Sequence, residues 1–223
     1  MNTYVLVHAR WHGAWCWEPV AARLRAAGDT VIVPDRAAFE EIRTAVEGAP
    51  EPVVLVGHSS SGMIISALAE LVPSRIRMLV YVSAFLLPDG MTPPDIGRTD
   101  EDSILAAHVV VDGETVTVAE PEKVFFNDLP PGEAAAAAAR LVPEPRTPPA
   151  GPPVTLTDGG FGSVPRTYVA CDDDRALGPA AQRRMYTALP CLRVYHLPTG
   201  HAPFLSAPET LAADLRDAVT LLA

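Results

Sequence analysis

The sequence is poor in cysteine, has no cluster of basic residues and contains no long apolar run. Its three cysteines, Cys16, Cys171 and Cys191, are too few and too scattered for a disulfide framework or a zinc site. The longest apolar stretch, "MLVYVSAFLLP" from Met78, is too short to span a bilayer. Strand-like residues begin at Tyr4 with no basic segment before them, so no signal peptide is predicted. We therefore expect a protein of the reducing cytoplasm with no membrane partner.

The charge balance argues against nucleic acid as a partner. The 223 residues carry 17 basic and 27 acidic side chains, which gives a net charge of −10. A nucleic-acid surface would require clustered lysine and arginine instead. The length and the 48% share of hydrophobic residues predict one globular domain with a full core and room for an insertion.

Strand-like and helix-like segments alternate along most of the chain. Six short apolar runs are typical of strands, and helix-like segments follow most of them. The six runs are "TYVLV", "TVIVP", "PVVLVG", "RMLVYVSAF", "RTYVA" and "LRVYHL". Continuously apolar strands joined by helices favour a mostly parallel sheet covered on both faces, and right-handed crossovers then give a doubly wound α/β architecture.

The segment 84–164 interrupts this alternation and is predicted to be an inserted lid. It is rich in proline, and it contains an alanine-rich helix pattern and a hairpin pattern, "HVVVDGETVTV", with Asp112-Gly113 at the turn. The hairpin pattern argues against the alternative, a disordered linker. We therefore expect an α/β core made of residues 1–83 and 165–223, and a lid made of residues 84–164.

The stretch "VVLVGHSSSGMII", residues 53–65, has the strand–turn–helix pattern of a nucleophile elbow. The motif G-x-S-x-G requires small residues two positions before and two positions after the nucleophile, because the strand and the helix approach each other closely. Of the three serines, only Ser59 meets this condition, with Gly57 and Ser61 at those places. The alternative is a polar turn in which Ser60 or Ser61 caps the helix.

A serine nucleophile needs a base and a carboxylate that orients the base. Of the six histidines, His201 lies in a loop after the last predicted strand, which leaves room for the chain order serine, acid, histidine. The acid would come from "CDDDR", which offers Asp172, Asp173 and Asp174 directly after "RTYVA". Loops that follow parallel strands meet at one edge of the sheet, so the acid and the base are expected near Ser59. The alternative for the acidic run is a solvated turn.

Two backbone N–H groups are expected to bind the oxyanion: that of Ser60, directly after the nucleophile, and that of Arg10, in the loop after the first strand. The Arg10 side chain either faces solvent or holds a carboxylate or phenolate at the pocket mouth. Trp11, Trp15 and Trp17 of this loop either contact the substrate or pack in the core. The residues predicted to line the substrate pocket are Ala9, Trp11, His12 and Phe204.

Four stretches resemble a known family. They are "VLVHARWHGAWCWEPVAARLRAAGDTVIVPD", "VLVGHSSSGMIISALAELVPSRIRMLVYVSAFLLPDG", "FGSVPRTYVACDDDRAL" and "PTGHAPFLSAPETLA". They look like the α/β-hydrolase superfamily, in its branch of plant methyl-ester esterases, hydroxynitrile lyases and related bacterial hydrolases. The resemblance implies the α/β-hydrolase fold and a Ser–His–Asp triad. By this resemblance the nucleophile falls on Ser59, the base on His201 and the acid on Asp174, while the oxyanion donors fall on Arg10 and Ser60.

The sequence departs from the pattern of this branch at four places. Ala9 replaces the glycine of the family's His-Gly pair, and Ser61 replaces the last glycine of the elbow. The stretch between Asp35 and Val53 is shorter than in the branch, which predicts a trimmed pocket wall. Ala202 stands where the hydroxynitrile lyases have a lysine that stabilises cyanide, so cyanohydrin cleavage by that mechanism is disfavoured.

These features favour a serine hydrolase that cleaves a small, fairly apolar carboxylic ester or lactone through an acyl-enzyme, with no metal and no organic cofactor. One alternative keeps the fold but uses His201 as the general base of a lyase or a biosynthetic cyclase. Another is a binding protein without turnover, which is disfavoured because no triad member is missing. The expected partner is a small-molecule substrate, and a homodimer is left open.

Overall fold

A computed structural model describes residues 1–146 and 154–222. The described residues form nine strands in two sheets. The strands of the large sheet are β1 (Thr3–Val7), β2 (Thr30–Ile32), β3 (Val53–His58), β4 (Ile76–Val82), β8 (Arg166–Cys171) and β9 (Val194–Leu197). The small sheet contains β5 (Val109–Asp112), β6 (Thr115–Val118) and β7 (Glu144–Pro145).

Helices connect and cover these strands. In chain order they are α1 (Glu18–Ala26), α2 (Phe39–Gly48), α3 (Ser61–Leu71), α4 (Pro93–Gly97), α5 (Leu105–His108), α6 (Pro121–Val124), α7 (Pro131–Ala138), α8 (Pro179–Ala188), α9 (Pro203–Ser206) and α10 (Pro208–Thr220). Short 3₁₀ turns accompany them at Ala14–Trp17, Pro73–Arg75 and Phe161–Ser163.

All pairs in the large sheet are parallel, in the spatial order β2-β1-β3-β4-β8-β9. The chain starts at β1, passes to β2 at the adjacent edge, and then returns through β3, β4 and β8 to β9 at the other edge, which makes the sheet doubly wound. The predicted α/β fold with about six strands is confirmed.

The sheet is buried on both faces, as its continuously apolar strands predict. Every residue of β3 is buried. Its side chains alternate between two hydrophobic clusters, with Val54 and Val56 in one cluster and Val53 and Leu55 in the other. This alternation places β3 in the centre of the molecule, with its carboxyl end at the rim where the loops gather.

The small sheet lies in the segment between β4 and β8. Strands β5 and β6 form the predicted antiparallel hairpin, with Asp112 paired to Thr115. The turn residue Gly113 has a φ of 58°, a left-handed conformation that glycine adopts without a steric penalty. Part of the predicted lid, residues 147–153, lies outside the described residues. None of the helices described for the rest of the chain is long and apolar enough to cross a membrane.

Candidate active site

The turn between β3 and α3 holds Ser59 in a left-handed backbone conformation, with a φ of 52°. This region is uncommon for a residue other than glycine, so the surrounding structure must hold the turn in place. The Ser59 N–H donates to the carbonyl of Val82 (3.3 Å), and the Ser59 carbonyl accepts from the N–H of Phe85 (3.0 Å). The end of β4 therefore fixes the Ser59 backbone from both sides.

Close packing around this turn explains its small residues. A Cβ at Gly62 would collide with the backbone of Phe85, which no side-chain movement could relieve. A Cβ at Gly57 would lie 2.9 Å from the Ile65 side chain. Ser61, where the motif has glycine, is fully buried, and its hydroxyl donates to the carbonyl of His8. The extra hydroxymethyl group thus joins α3 to the loop after β1 rather than disturbing the turn.

His201 and Asp174 form a buried pair at the same rim of the sheet. Asp174 lies in the loop after β8, and His201 lies between β9 and α9. The two side chains are 1% exposed for His201 and fully buried for Asp174, and His201 Nδ1 lies 2.7 Å from Asp174 Oδ2. Because an ionised carboxylate only accepts, Nδ1 carries the proton and Nε2 of His201 is left as the basic nitrogen.

Three further groups donate to the Asp174 carboxylate. The N–H groups of Ala176 and Leu177 donate to Oδ1, at 2.7 and 2.9 Å. The Ser83 hydroxyl donates to Oδ2, the same oxygen that binds His201. Each oxygen of the carboxylate therefore accepts two hydrogen bonds, which together fix its orientation.

Ser83 was not identified from the sequence. It follows β4 directly, and its N–H donates to the carbonyl of Val169 on the neighbouring strand β8 (2.9 Å). A small polar residue at the carboxyl end of a strand, beside the strand that leads to the acid, is the signal that could have identified it.

The other two acids of "CDDDR" are directed elsewhere. Asp172 is exposed and binds Nδ1 of His196 at 2.9 Å. Asp173 is exposed, and its backbone pairs with the carbonyl of Thr199 and the side-chain amide of Asn127. Of the three acids that the sequence offers, Asp174 is therefore the one that contacts His201.

The loop after β1 meets the turn that carries Ser59. The N–H of Arg10 donates to the hydroxyl of Ser60 at 3.0 Å. The two residues expected to supply oxyanion donors are therefore adjacent, but one of these N–H groups is bonded to a side-chain hydroxyl. Trp11, the next residue, has a φ of 64°, so the loop makes a sharp turn here.

Residues of the segment 84–164 pack on this loop. The Trp11 indole N–H donates to the carbonyl of Val116 (3.0 Å), and the Trp11 carbonyl accepts from the N–H of Val142 (2.9 Å). The Arg10 guanidinium lies 5.1 Å from the Trp11 ring and donates to the carbonyl of Pro145. The Arg10 side chain therefore binds the inserted segment. The sequence had suggested only solvent exposure or the binding of a carboxylate or phenolate.

Aromatic rings surround His12 and His201. His12 is buried, and its Nδ1 donates to the Arg10 carbonyl at 2.9 Å. Burial lowers the pKa of His12 to about 3, so this imidazole is neutral near pH 7. The ring of Phe125, from the inserted segment, lies 5.2 Å from the His12 ring and 5.6 Å from the His201 ring. Phe204 is fully buried, 6.1 Å from the His12 ring.

Ala9, the last of the expected pocket residues, is buried beside this loop. Phe125 and its neighbour Phe126 were not assigned to the site from the sequence, which had indicated only that their segment is ordered. An apolar pair between prolines does not predict which part of the core the two side chains contact.

An open parallel sheet that carries a serine in a strained strand-to-helix turn, with a buried His–Asp pair at the same rim, defines the class: an α/β-hydrolase fold. The chain belongs to the alpha/beta hydrolase family, whose sequence profile matches residues 4–214. The resemblance drawn from the four sequence stretches is confirmed.

Named relatives occur in plants and bacteria. Methylesterase 7 of Arabidopsis thaliana is 31% identical over 244 aligned residues, which cover 94% of this chain and 93% of the relative. A carbendazim hydrolyzing esterase of a Nocardioides species is 27% identical and is covered to 98%, by 96% of this chain. Among solved structures, tomato methylketone synthase I superimposes with a TM-score of 0.83 at 22% identity, over 98% of each chain.

Proposed function

We propose that this enzyme hydrolyses a small carboxylic ester or lactone through an acyl-enzyme on Ser59. The Ser59 hydroxyl attacks the acyl carbon while Nε2 of His201 accepts its proton. His201 then returns this proton to the leaving alkoxide. In the second half of the reaction, water attacks the acyl-enzyme, again with His201 as the base, and releases the acid and the free serine.

The backbone N–H groups of Arg10 and Ser60 stabilise the negative oxygen of the tetrahedral intermediate. Asp174 keeps the proton of His201 on Nδ1 and stabilises the imidazolium that forms in each step. These steps need only groups that the chain itself supplies and water.

The observation that carries this proposal is the buried hydrogen bond of 2.7 Å between His201 Nδ1 and Asp174 Oδ2, at the sheet rim that also holds the strained turn of Ser59. Burying an ionisable pair is costly unless its hydrogen bonds are satisfied, and a purely structural pair would not require a strained serine at the same rim of the sheet. We therefore interpret His201 as a base oriented by the Asp174 carboxylate, with Ser59 as the nucleophile at the same rim of the sheet.

The names of the relatives support an ester as the substrate. They include a methylesterase, a carbendazim hydrolyzing esterase and, at 27% identity, a pyrethroid hydrolase of Sphingobium wenxiniae. The buried rings of Phe125, Phe126 and Phe204 surround His12, and Phe125 also lies 5.6 Å from the His201 ring, so the surroundings of the base are apolar and suit a small, fairly apolar acyl or alcohol group.

We also propose that residues 84–164 act as a lid over a core made of residues 1–83 and 165–223. The contacts of Trp11 with Val116 and Val142, and the position of Phe125 beside His201, support a covering role. The three cysteines are unbridged in the described structure, which is compatible with the expected cytoplasmic location.

A lyase or cyclase that uses His201 as its general base is the less favoured function. The likeness to methylketone synthase I, at 22% identity, concerns the fold. The relatives named for their activity on esters, at 27–31% identity, favour hydrolysis over these alternatives.

The test is steady-state kinetics on a panel of small methyl, aryl and lactone esters, with wild type and Ser59→Ala. We expect kcat/KM of the variant to fall by about 10³–10⁶-fold for every ester that wild type hydrolyses. Ser66→Ala is the matched control, since Ser66 is a buried serine of α3 whose hydroxyl bonds Tyr81 and the Gly62 carbonyl. Equal activity of Ser59→Ala and wild type would refute the proposal.

A further inference from the structure

His58 connects the nucleophile strand directly to the backbone of His201. It is the last residue of β3, one peptide before Ser59, and it is fully buried. Its Nε2 lies 2.8 Å from the main-chain carbonyl oxygen of His201, 143 residues away in the sequence. The two imidazole rings are 4.5 Å apart between centroids.

The chemistry of this contact fixes the tautomer of His58. A carbonyl oxygen only accepts, so Nε2 must carry the proton, and Nδ1 is left as a bare acceptor. This Nδ1 is buried and has no hydrogen-bond partner among the described residues. Burial holds the pKa of His58 well below its usual range, so the ring stays neutral.

The carbonyl that His58 binds lies just outside a helix. Helix α9 begins at Pro203, and the first carbonyl that accepts its N–H groups belongs to Ala202, which binds Leu205 at 2.9 Å and Ser206 at 3.2 Å. The carbonyl of His201 is one residue too early to take part. Without the His58 N–H, it would be a buried main-chain acceptor in need of a partner.

We infer that His58 is a positioning residue that sets the distance between Ser59 and His201. Its hydrogen bond fixes the main chain of the base, while Asp174 fixes the imidazole of the base. The same residue belongs to the strand that presents the nucleophile. A shift of the His201 loop therefore requires the loss of this bond, and a displacement of about 1 Å between reacting groups can reduce a rate by about 10²-fold.

This inference rests on the proposed function, and two substitutions isolate the hydrogen bond. His58→Gln can place an amide N–H near the position of Nε2, whereas His58→Met has similar bulk but no donor. We expect His58→Met to lower kcat on the preferred ester by about 30- to 100-fold with KM within about twofold of wild type, because substrate binding does not involve this bond. His58→Gln should recover most of that loss.

Tyr4→Phe is the matched control for a lost buried hydrogen bond. The Tyr4 hydroxyl donates to the carbonyl of Leu215, also buried, and Tyr4 and Leu215 lie in β1 and α10. This variant should keep the kcat of wild type even where its Tm is lower. Thermal unfolding of all the variants separates stability from positioning.

A measurement on the unmodified enzyme covers the case in which His58→Met does not fold. Long-range proton–nitrogen NMR correlations report which imidazole nitrogen carries the proton, and the spectrum of His58→Gln assigns the signal of His58. We expect a neutral His58 with its proton on Nε2. A proton on Nδ1 would overturn the inference, since the bond to the His201 carbonyl could not then exist.

The outcomes of the kinetic test are distinct. Equal losses of kcat in His58→Gln and His58→Met, in an enzyme that loses activity in Ser59→Ala, would overturn this inference and leave the proposed function standing. An enzyme whose turnover does not depend on Ser59 would overturn both.

Discussion

The two halves of the candidate site differ in how their polar groups are hydrogen-bonded. On the acid side, Asp174 receives donors from Ser83, Ala176 and Leu177 as well as from His201. On the oxyanion side, the N–H of Arg10 is bonded to the Ser60 hydroxyl. The acid side already has its donors in place, whereas in the proposed mechanism the Ser60 hydroxyl must release the Arg10 N–H before a substrate oxygen can accept from it.

This difference follows from the charges involved. The acid side holds a carboxylate that must stay ionised away from water, so it needs donors at all times. The oxyanion exists only during the reaction, and until then a neutral hydroxyl satisfies the N–H group. Four substitutions test this difference between the acid side and the oxyanion side.

The largest effect is expected from Asp174→Asn. An amide that keeps its oxygen toward the backbone N–H groups of residues 176 and 177 turns its NH₂ toward His201, which favours the wrong tautomer of the base. The kcat on the preferred ester should fall by about 10³–10⁴-fold. Asp172→Asn is the matched control, because Asp172 is exposed and binds His196, and it should leave kcat unchanged. A similar loss in both variants would mean that the acid has been misassigned.

Ser83→Ala tests whether the extra donor on the acid side contributes to the rate. A hydrogen bond to a charged group contributes about 1.5–3 kcal/mol, so kcat should fall by about 10- to 100-fold. KM should change little, since Ser83 lies behind the acid. The control is Ser103→Ala, whose hydroxyl binds the carbonyl of Ala176 in the same loop without contacting the carboxylate. Unchanged kcat in Ser83→Ala would show that the backbone donors are sufficient.

Ser60→Ala tests the oxyanion side and should have the opposite sign. Removing the hydroxyl frees the N–H of Arg10, while the N–H of residue 60 is retained because it belongs to the backbone. Since a neutral hydrogen bond contributes about 0.5–1.5 kcal/mol, kcat/KM should rise by about 2- to 10-fold. A large decrease instead would mean that the Ser60 hydroxyl itself donates to the oxyanion, and the comparison between the two halves would then be wrong.

The smallest effect concerns a carboxyl whose surroundings contrast with those of Asp174. Burial, assisted by the charge of Asp217, raises the pKa of Asp214 to about 6, and no hydrogen bond to its side chain is present in the described part of the chain. The folded state then binds a proton more tightly than the unfolded state, so stability falls as pH rises from about 4 through 6. Asp214→Asn should raise Tm by about 1–3 °C at pH 7 and by less at pH 4, with unchanged kcat. A higher Tm gain at pH 4 would contradict this.

The core elements of the site follow from short-range sequence patterns. The apolar run of β3, the small residues around Ser59 and the acids directly after β8 are local features, and the parallel sheet brings their ends together. The substitution at Ser61 was recognised as a departure, and the buried hydroxyl with its bond to His8 explains how the turn accommodates it.

The parts that the sequence did not reveal depend on contacts between distant segments. Ser83 acts on Asp174 only because β4 and β8 are neighbours, and their pairing is not encoded near either residue. Phe125 reaches His201 because the inserted segment folds over the loop after β1, through contacts such as that of Trp11 with Val116. No periodicity in a proline-rich insertion specifies such a placement.

Trapping the covalent acyl-enzyme tests the role of Ser59 most directly. Wild type mixed with excess p-nitrophenyl acetate and quenched during the initial burst should carry one acetyl group, located by peptide mass spectrometry on Ser59. The adduct should be absent from Ser59→Ala. An acetyl group on another residue, or steady turnover with no adduct on Ser59 under conditions that trap one in a known serine esterase, would contradict it.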